Sequence, residues 1–290
     1  MAGNTEAVLL MTHFLGGGII DQYHRLAAEA GRGRDVVLLY NRGDDPKPGR
    51  FIPPAVAAFP FDADDVRGLG FPAKGRRPSA WDVELFALLF AARHPRYQRW
   101  WVVEYDVDFT GRWSALFDAF ADDGADLLAT TLHRHPVNPG WPNWKTVRAP
   151  EGRPPPETMV RGFLPCYRMT RRAADALQAA YLAGWRGHYE ATVPTILDRS
   201  GLVIEDIGGD GEFVAEGNRN RFYTNNPAVD SLAPGSFVFR PVRAAPGGES
   251  GLLWHPVKPP SLANGWATGR RATLSRWLRS TLRTPKGWTA

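Results

Sequence analysis

The chain has 290 residues, 43% hydrophobic and 22% charged, enough to bury the core of one large α/β domain or two small ones. Its single cysteine, Cys166, excludes an internal disulfide. The net charge of +5 comes mainly from six basic residues after residue 269, and no acidic residue follows Glu249. A basic face running through the domain, typical of nucleic-acid binders, is therefore not indicated.

Apolar strands and amphipathic helices alternate in the first half of the chain. Residues 7–11 and 35–40 are predicted as buried strands, with a helix over 19–30 between them that ends at Gly31. A short third strand is expected near residues 57–59.

The pattern continues to the middle of the chain. Ser79 is expected to cap a helix over residues 80–94, which leads into a buried strand at 100–104. A helix at 113–123 and a strand at 126–131 follow. Such alternation predicts an α/β fold with a mostly parallel, doubly wound sheet, whose sites lie beyond the carboxyl ends of the strands.

The second half is less regular, and residues 133–156 are expected to be mostly loop. One helix is predicted from Thr170 or Arg171 to Leu182, and another from His188 or Tyr189. The expected strands are residues 159–167, 202–207 and 236–240, and residues 252–258 close the ordered core.

The last residues, 261–290, form a basic tail in which leucines and a tryptophan recur at helical spacing over 270–286. This helix either packs its apolar stripe on the domain or lies on an anionic membrane surface or an acidic partner. No secretory signal or bilayer-spanning run is recognised, so a cytoplasmic location is expected, peripheral to the inner membrane face if the helix lies on the membrane.

Two carboxylates, Asp106 and Asp108, follow the apolar run at residues 100–103. On a strand, residues i and i+2 point to one face, where two carboxylates repel each other unless a cation neutralises them. Mn²⁺ and Mg²⁺ prefer such oxygens and commonly also hold substrate phosphates. The pair thus predicts a metal–diphosphate site, the alternative being a surface turn before Gly111.

Three positions in order carry a resemblance to a known superfamily. The first is the segment W-x-x-E-Y-D-V-x-F-T-G-x-W at residues 101–113. The second, residues 187–190, places a carboxylate at the start of a helix, and the third, residues 255–258, supplies a late histidine. Together they resemble glycosyltransferases of the GT-A fold: the first segment is similar to an uncharacterised branch of that superfamily, and the histidine is like the one that completes the metal site in many members.

The resemblance implies a metal-dependent, hexosyltransferase-like enzyme with Mn²⁺ or Mg²⁺. Its catalytic domain would span residues 1–260, with a nucleotide-sugar half at about 7–132 and an acceptor half at about 133–260. The donor would be a nucleotide-diphosphate sugar, by analogy UDP-linked, and the acceptor a carbohydrate or other hydroxyl compound.

Four residues are expected at the metal–diphosphate site. Asp108 is expected to contact the metal directly, and Asp106 to reach it through water or to bind the ribose hydroxyls. His255 is a candidate third ligand, and Lys258 a point charge for the diphosphate. For both of the last two, an ordinary structural role is the alternative.

Glu190 is the candidate base for the acceptor hydroxyl in an inverting reaction. A helix N-terminus stabilises a carboxylate and so lowers its basicity, which leaves open that Glu190 is a simple helix-start acid. In a retaining enzyme it would instead hold the acceptor or the sugar.

The first turn after a strand, with Thr12 and His13, is expected near the nucleotide. Tyr40, Asn41 and Arg42 are expected to contact the edge of the nucleotide base. The chain lacks the G-x-G-x-x-G pattern of dinucleotide oxidoreductases there. The tryptophans that fall on the acceptor-side loops are Trp141, Trp144 and Trp185.

Other functions remain open. A sugar-phosphate nucleotidyltransferase would use a similar sheet and metal carboxylates. A non-catalytic carbohydrate-binding protein would keep the tryptophans but have no use for converging acids. A zinc hydrolase built on His133 and His135 is weakly indicated.

Overall fold

The structure is a computed structural model that describes residues 5–45, 49, 51–75, 82–225 and 235–260. These residues form an α/β fold with a seven-stranded mixed sheet flanked by helices. Among them, no helix has both the length and the apolar character needed to span a bilayer.

Nine strands are described, in a large sheet and a two-stranded one. They are β1 (Glu6–Thr12), β2 (Arg34–Asn41), β3 (Ala58–Phe61), β4 (Arg99–Glu104), β5 (Asp108–Phe109), β6 (Leu127–Arg134), β7 (Val160–Thr170), β8 (Ile204–Asp206) and β9 (Leu253–Trp254). The large sheet has the order β3-β2-β1-β4-β7-β6-β8, and β5 pairs with β9. Only β7 runs antiparallel to its neighbours in the large sheet, so its first residues lie where the adjacent strands end.

The described residues also form six α-helices: α1 (Gly17–Glu29), α2 (Ala63–Arg67), α3 (Glu84–Arg93), α4 (Trp113–Ala119), α5 (Arg171–Leu182) and α6 (Tyr189–Arg199). Alternate residues of β4 face opposite sides of the sheet. Trp100 and Val102 pack in one core with α3, α5 and α6, while Trp101 and Val103 pack in another with α1 and α4. The sheet is therefore the middle of three layers, and its strands read as continuous apolar runs because both faces are buried.

The structure confirms the predicted α/β fold and most of its elements, with three corrections. Helix α3 begins at Glu84, not residue 80, and the proposed cap Ser79 lies outside the described residues. Helix α4 ends at Ala119, earlier than predicted. Residues 236–240 are not a strand, because only Phe237 forms an isolated bridge, to His255. The predicted helix at 270–286 lies outside the described residues.

Candidate functional site

The end of β4 and the segment after β9 meet at the carboxyl edge of the sheet. Strand β4 stops at Glu104, and the chain turns there, with the N–H of Val107 donating to the Glu104 carbonyl at 2.9 Å. The N–H of Val257 donates to the Asp106 carbonyl at 2.8 Å. The pairing of β5 with β9 thus brings the late segment of the chain to the turn after β4.

Glu104, Asp106 and His255 form a group in which one ligand atom of each residue lies within 4.8 Å of the others. Nε2 of His255 lies 3.5 Å from Oδ1 of Asp106, and Nζ of Lys258 lies 3.2 Å from Oδ2 of the same carboxylate. Three of the four residues predicted for the metal–diphosphate site therefore converge: Asp106, His255 and Lys258.

The donor set of this group suits a hard divalent cation. Nδ1 of His255 is 2.8 Å from the Val238 carbonyl, which only accepts, so Nδ1 carries a hydrogen and, in a neutral ring, Nε2 presents its lone pair to Asp106. Oδ1 of Asp106 is buried and accepts no well-formed hydrogen bond from a described residue. Two facing lone pairs repel unless a proton or a metal ion lies between them. Two carboxylates and an imidazole are ligands that Mn²⁺ and Mg²⁺ accept.

The electrostatics of the two carboxylates differ. Burial raises the pKa of Glu104 well above its usual range, and the charges of Asp106 and Glu190 raise it further. Burial also acts to raise the pKa of Asp106, but the positive charges of His255, when its ring is protonated, and of Lys258 outweigh it and hold that pKa well below its usual range. Asp106 is therefore ionised, whereas ionisation of Glu104 calls for an additional cation.

The structure does not bring Asp108 into this group, so its predicted direct metal contact receives no support. Oδ1 of Asp108 accepts a hydrogen bond from Nη1 of Arg25 at 2.6 Å and one from the N–H of Phe109 at 2.7 Å. The carboxylate ties α1 to β5 instead. The prediction assumed that the strand continues through Asp108, but the chain turns after Glu104, so the i, i+2 pair at the site is Glu104 and Asp106.

Glu190 lies in the first turn of α6, as predicted, with His188 as N-cap. Burial raises the pKa of Glu190 to about 7, although the charge of Arg161 and a hydrogen bond from the Leu164 backbone lower it. Burial thus outweighs the expected acidifying effect of the helix N-terminus. Because its charge raises the pKa of Glu104, Glu190 belongs to the same electrostatic neighbourhood as the candidate metal group.

The residues expected around the nucleotide divide into two sets. The ring of His13 packs 5.3 Å from that of Tyr105, next to the candidate metal group. Burial lowers the pKa of His13. Oγ1 of Thr12 donates to the Phe14 carbonyl at 2.9 Å and so shapes the turn after β1. His13 thus stays a candidate for ligand contact, while Thr12 acts on the backbone.

The second set has its polar atoms engaged with neighbouring protein groups, so its predicted contact with the base stays a prediction without support from free polar groups. The hydroxyl of Tyr40 donates to Asp45 at 2.6 Å, and Asn41 accepts from the N–H of Gly43. Arg42 pairs with Asp62 at 2.7 Å. In this arrangement the three side chains hold the loop rather than offer free groups.

The acceptor-side tryptophans and histidines are mostly part of the interior. Trp141 and Trp144 are buried against each other, and Trp185 is half-buried beside them. His133 bonds the Thr131 carbonyl, and His135 packs on Trp144. Neither histidine belongs to the metal-ligand group found among the described residues, which gives the zinc alternative no support.

Sequence reasoning missed Glu104 and Arg161. Glu104 is the last residue of β4 and lies two positions before Asp106, so the same spacing argument applied one step earlier would have found it. Arg161 is a lone charge near the start of an apolar strand, a signal of a buried cation.

Comparison of the chain with models of known protein families gives no match, and comparison with curated protein sequences gives none either.

Proposed function

We propose that the chain is a metal-dependent glycosyltransferase of the GT-A type, which moves a sugar from a nucleotide-diphosphate donor to a hydroxyl acceptor. The observation that carries the proposal is the meeting of Glu104, Asp106 and His255 beside Lys258, at the carboxyl edge where α/β sheets bind ligands. The resemblance of residues 101–113, 187–190 and 255–258 to that superfamily supports the same function.

Glu104, Asp106 and His255 would hold Mn²⁺ or Mg²⁺, which when bound supplies positive charge to the diphosphate as it leaves the sugar. Lys258 is the second source of positive charge, through its three N–H donors. Its Nζ also lies 3.1 Å from the Tyr105 hydroxyl, which orients it along the turn after β4. In this proposal, the two metal-binding carboxylates are Glu104 and Asp106, in place of the Asp106 and Asp108 pair expected from the sequence.

Glu190 is the proposed base, which takes the proton from the acceptor hydroxyl in an inverting reaction. A pKa of about 7 leaves the carboxylate and the acid in similar amounts near neutral pH, the range in which a general base is most effective. A backbone N–H at Leu164 and the N-cap His188 fix its position. The base is thus held on a rigid helix start.

The two alternatives receive less support. A carbohydrate-binding module that stacks sugars on Trp141 and Trp144 is disfavoured because both indoles are buried. A nucleotidyltransferase would use a basic residue after its first loop, but Arg25 is committed to Asp108 at 2.6 Å.

The test is a calorimetric titration of nucleoside diphosphates with and without Mn²⁺, followed by incubation of nucleotide sugars with the protein. We expect Mn²⁺-dependent diphosphate binding and Mn²⁺-dependent release of the diphosphate from one donor. A nucleoside diphosphate at 100 times its dissociation constant should add about 2.7 kcal/mol of stability. Absence of any metal-dependent binding across the nucleotides would reject the proposal.

A further inference from the structure

Arg161 is a buried guanidinium without an anionic partner. It is 2% exposed, and its Nε and Nη1 atoms are buried without a hydrogen-bond partner. No described residue forms an ion pair with it. A buried charge is costly unless it is paired, so an arginine in this state indicates a missing anion.

The guanidinium stays charged. Burial lowers the pKa of Arg161 to about 10, and the nearby Glu190 charge opposes that effect. A pKa of about 10 still leaves the group almost fully protonated at neutral pH. The site therefore carries a permanent positive charge beside the proposed base.

The two histidines near Arg161, His133 and His188, are neutral, and Glu190 is the one nearby acid whose charge acts on the guanidinium among the described residues. Burial lowers the pKa of His133 and that of His188 to about 3, and the positive charge of Arg161 lowers both further. The pKa of Glu190 itself is about 7. No described carboxylate lies within ion-pair distance to satisfy the arginine.

The hydrogen-bonding edges of the Arg161 guanidinium are not taken up by the ring that packs on it or by a described hydrogen-bond acceptor at Nε and Nη1. Its guanidinium carbon lies 4.1 Å from the centre of the Trp141 ring, so the indole lies near the cation while the N–H bonds of a guanidinium lie in its own plane. This planar fork matches a carboxylate or a phosphate. Strand β7, antiparallel to its neighbours, brings Arg161 to the carboxyl edge of the sheet, opposite His133 of β6.

We infer that Arg161 binds an oxyanion, a carboxylate or phosphate group, carried by the acceptor substrate beside Glu190. The assignment of that molecule as acceptor rests on the proposed function; the anion site itself rests on the arginine. Arg161 is then the residue that selects anionic acceptors over neutral ones. Binding of the anion also offsets the positive charge that lowers the pKa of Glu190, which makes the base stronger when the acceptor is present.

The test titrates inorganic phosphate and glucuronate, with glucose as the neutral probe, into the metal-free protein at constant ionic strength. Thermal unfolding reports binding. We expect phosphate or glucuronate, but not glucose, to raise the Tm of the wild type, and the anion that does so identifies the group. Absence of a shift with both anions overturns the inference.

Two variants locate the effect. Arg161→Met should abolish the shift while leaving the protein folded, because replacing an unpaired buried charge by an apolar side chain removes a cost. Arg199→Met is the matched control, since Arg199 lies 5.8 Å from the Trp185 ring and pairs with surface groups. A shift that persists in Arg161→Met, or that disappears in Arg199→Met, contradicts the assignment.

The outcome is separable from the proposed function. Mn²⁺-dependent diphosphate binding should be the same in Arg161→Met and wild type. If wild type binds the anion through Arg161 but no diphosphate with Mn²⁺, the proposed function fails and the anion site stands. If wild type binds diphosphate with Mn²⁺ but neither phosphate nor glucuronate, the anion site fails and the proposed function stands.

Discussion

Nζ of Lys258 lies 3.2 Å from Oδ2 of Asp106, so a fixed ammonium and the candidate metal ion would share one carboxylate. The backbone supports this contact, because the N–H of Val257 donates to the Asp106 carbonyl. Without a metal, the lysine supplies part of the charge that the carboxylate requires. In the proposed function, its N–H groups would also donate to the phosphate oxygens of the bound diphosphate.

Lys258→Met should therefore change two affinities in opposite directions. Removing the competing cation should tighten Mn²⁺ binding, whereas loss of a phosphate donor should weaken nucleoside diphosphate binding, each about tenfold or ~1.4 kcal/mol. Calorimetry measures both. Lys145→Met, at an exposed position of the short 3-10 helix Pro142–Thr146, is the control and should change neither. A parallel fall of both affinities would contradict the shared carboxylate.

Asp106→Asn and Asp108→Asn should separate the two acids of the Asp-x-Asp segment. Asp106→Asn should weaken Mn²⁺ binding at least tenfold, because it removes charge from the proposed ligand. Asp108→Asn should leave Mn²⁺ binding unchanged and reduce stability by about 1 kcal/mol, through the weakened bond to Arg25.

A second ligand variant, Glu104→Gln, keeps the metal site testable if Asp106→Asn does not fold. Glu104→Gln removes a proposed ligand that has no hydrogen bond to lose among the described residues, so it should fold and still weaken Mn²⁺ binding. Equal Mn²⁺ affinity in Glu104→Gln and wild type would remove Glu104 from the site. A metal defect confined to Asp108→Asn would restore the original prediction.

Glu190→Gln should reduce turnover by ~10²–10⁴ while leaving donor binding intact, because it keeps the shape and removes the base. In the wild type the base must be deprotonated, so kcat/KM, which reports the free enzyme, should rise with pH and level off above about pH 7, the pKa of Glu190. That inflection should be missing from the residual activity of the variant. Full activity in Glu190→Gln would reduce the residue to a helix-start acid.

The same carboxyl group should make stability fall as pH rises. Burial raises the pKa of Glu190 from 4.5 to about 7, so the folded state binds its proton more tightly than the unfolded state. The contribution of the Glu190 proton to folding stability is complete below pH 4.5, the pKa of this group in the unfolded chain, and is lost as the pH rises through 7. Between pH 5 and 8, wild type should lose roughly 2–4 kcal/mol relative to Glu190→Gln.

Urea unfolding of the two proteins at each pH measures this difference. The comparison is needed because burial lowers the pKa of His133 and of His188 to about 3, which acts with the opposite sign. Glu157→Gln, at an exposed turn, is the control and should follow the wild type. A difference that does not vary with pH would show that Glu190 has an ordinary pKa.

Two glycines before α6 should respond differently to alanine. A Cβ on Gly187, at φ +136°, would lie 2.9 Å from the Thr146 carbonyl oxygen, whereas one on Gly184, at φ +106°, would meet nothing within 4 Å. Gly184→Ala should cost about 1–2 kcal/mol from its backbone conformation alone. Gly187→Ala should cost more, and it should reduce turnover more than diphosphate binding because it displaces the start of α6. If Gly184→Ala and Gly187→Ala lower the free energy of unfolding equally in denaturant, the close contact between residue 187 and the Thr146 carbonyl is contradicted.

Most helices and strands follow from local pattern. Gly31, at φ +84°, follows the end of α1, and Thr170 accepts from the N–H of Ala173 as the cap of α5, both where the sequence predicted a boundary. These signals lie within a few residues of the element that they delimit. The start of helix α3 was predicted less well: its N-cap position is Val83, with no side-chain cap that the sequence could signal, and its first residue Glu84 bonds Tyr181, distant in the chain.

The sequence by itself determined the α/β fold and named Asp106, His255, Lys258 and Glu190, because residue types and their order are local information. Only the tertiary structure decided which side chains meet. Because the chain turns after Glu104, the candidate metal group contains Glu104 and not Asp108. Because β7 runs antiparallel to its neighbours, Arg161 lies at the same edge of the sheet. Burial also determines the protonation of Glu190. Removal from water raises its pKa to about 7, although a helix start would otherwise lower that pKa, and burial cannot be read from the spacing of residues in the sequence.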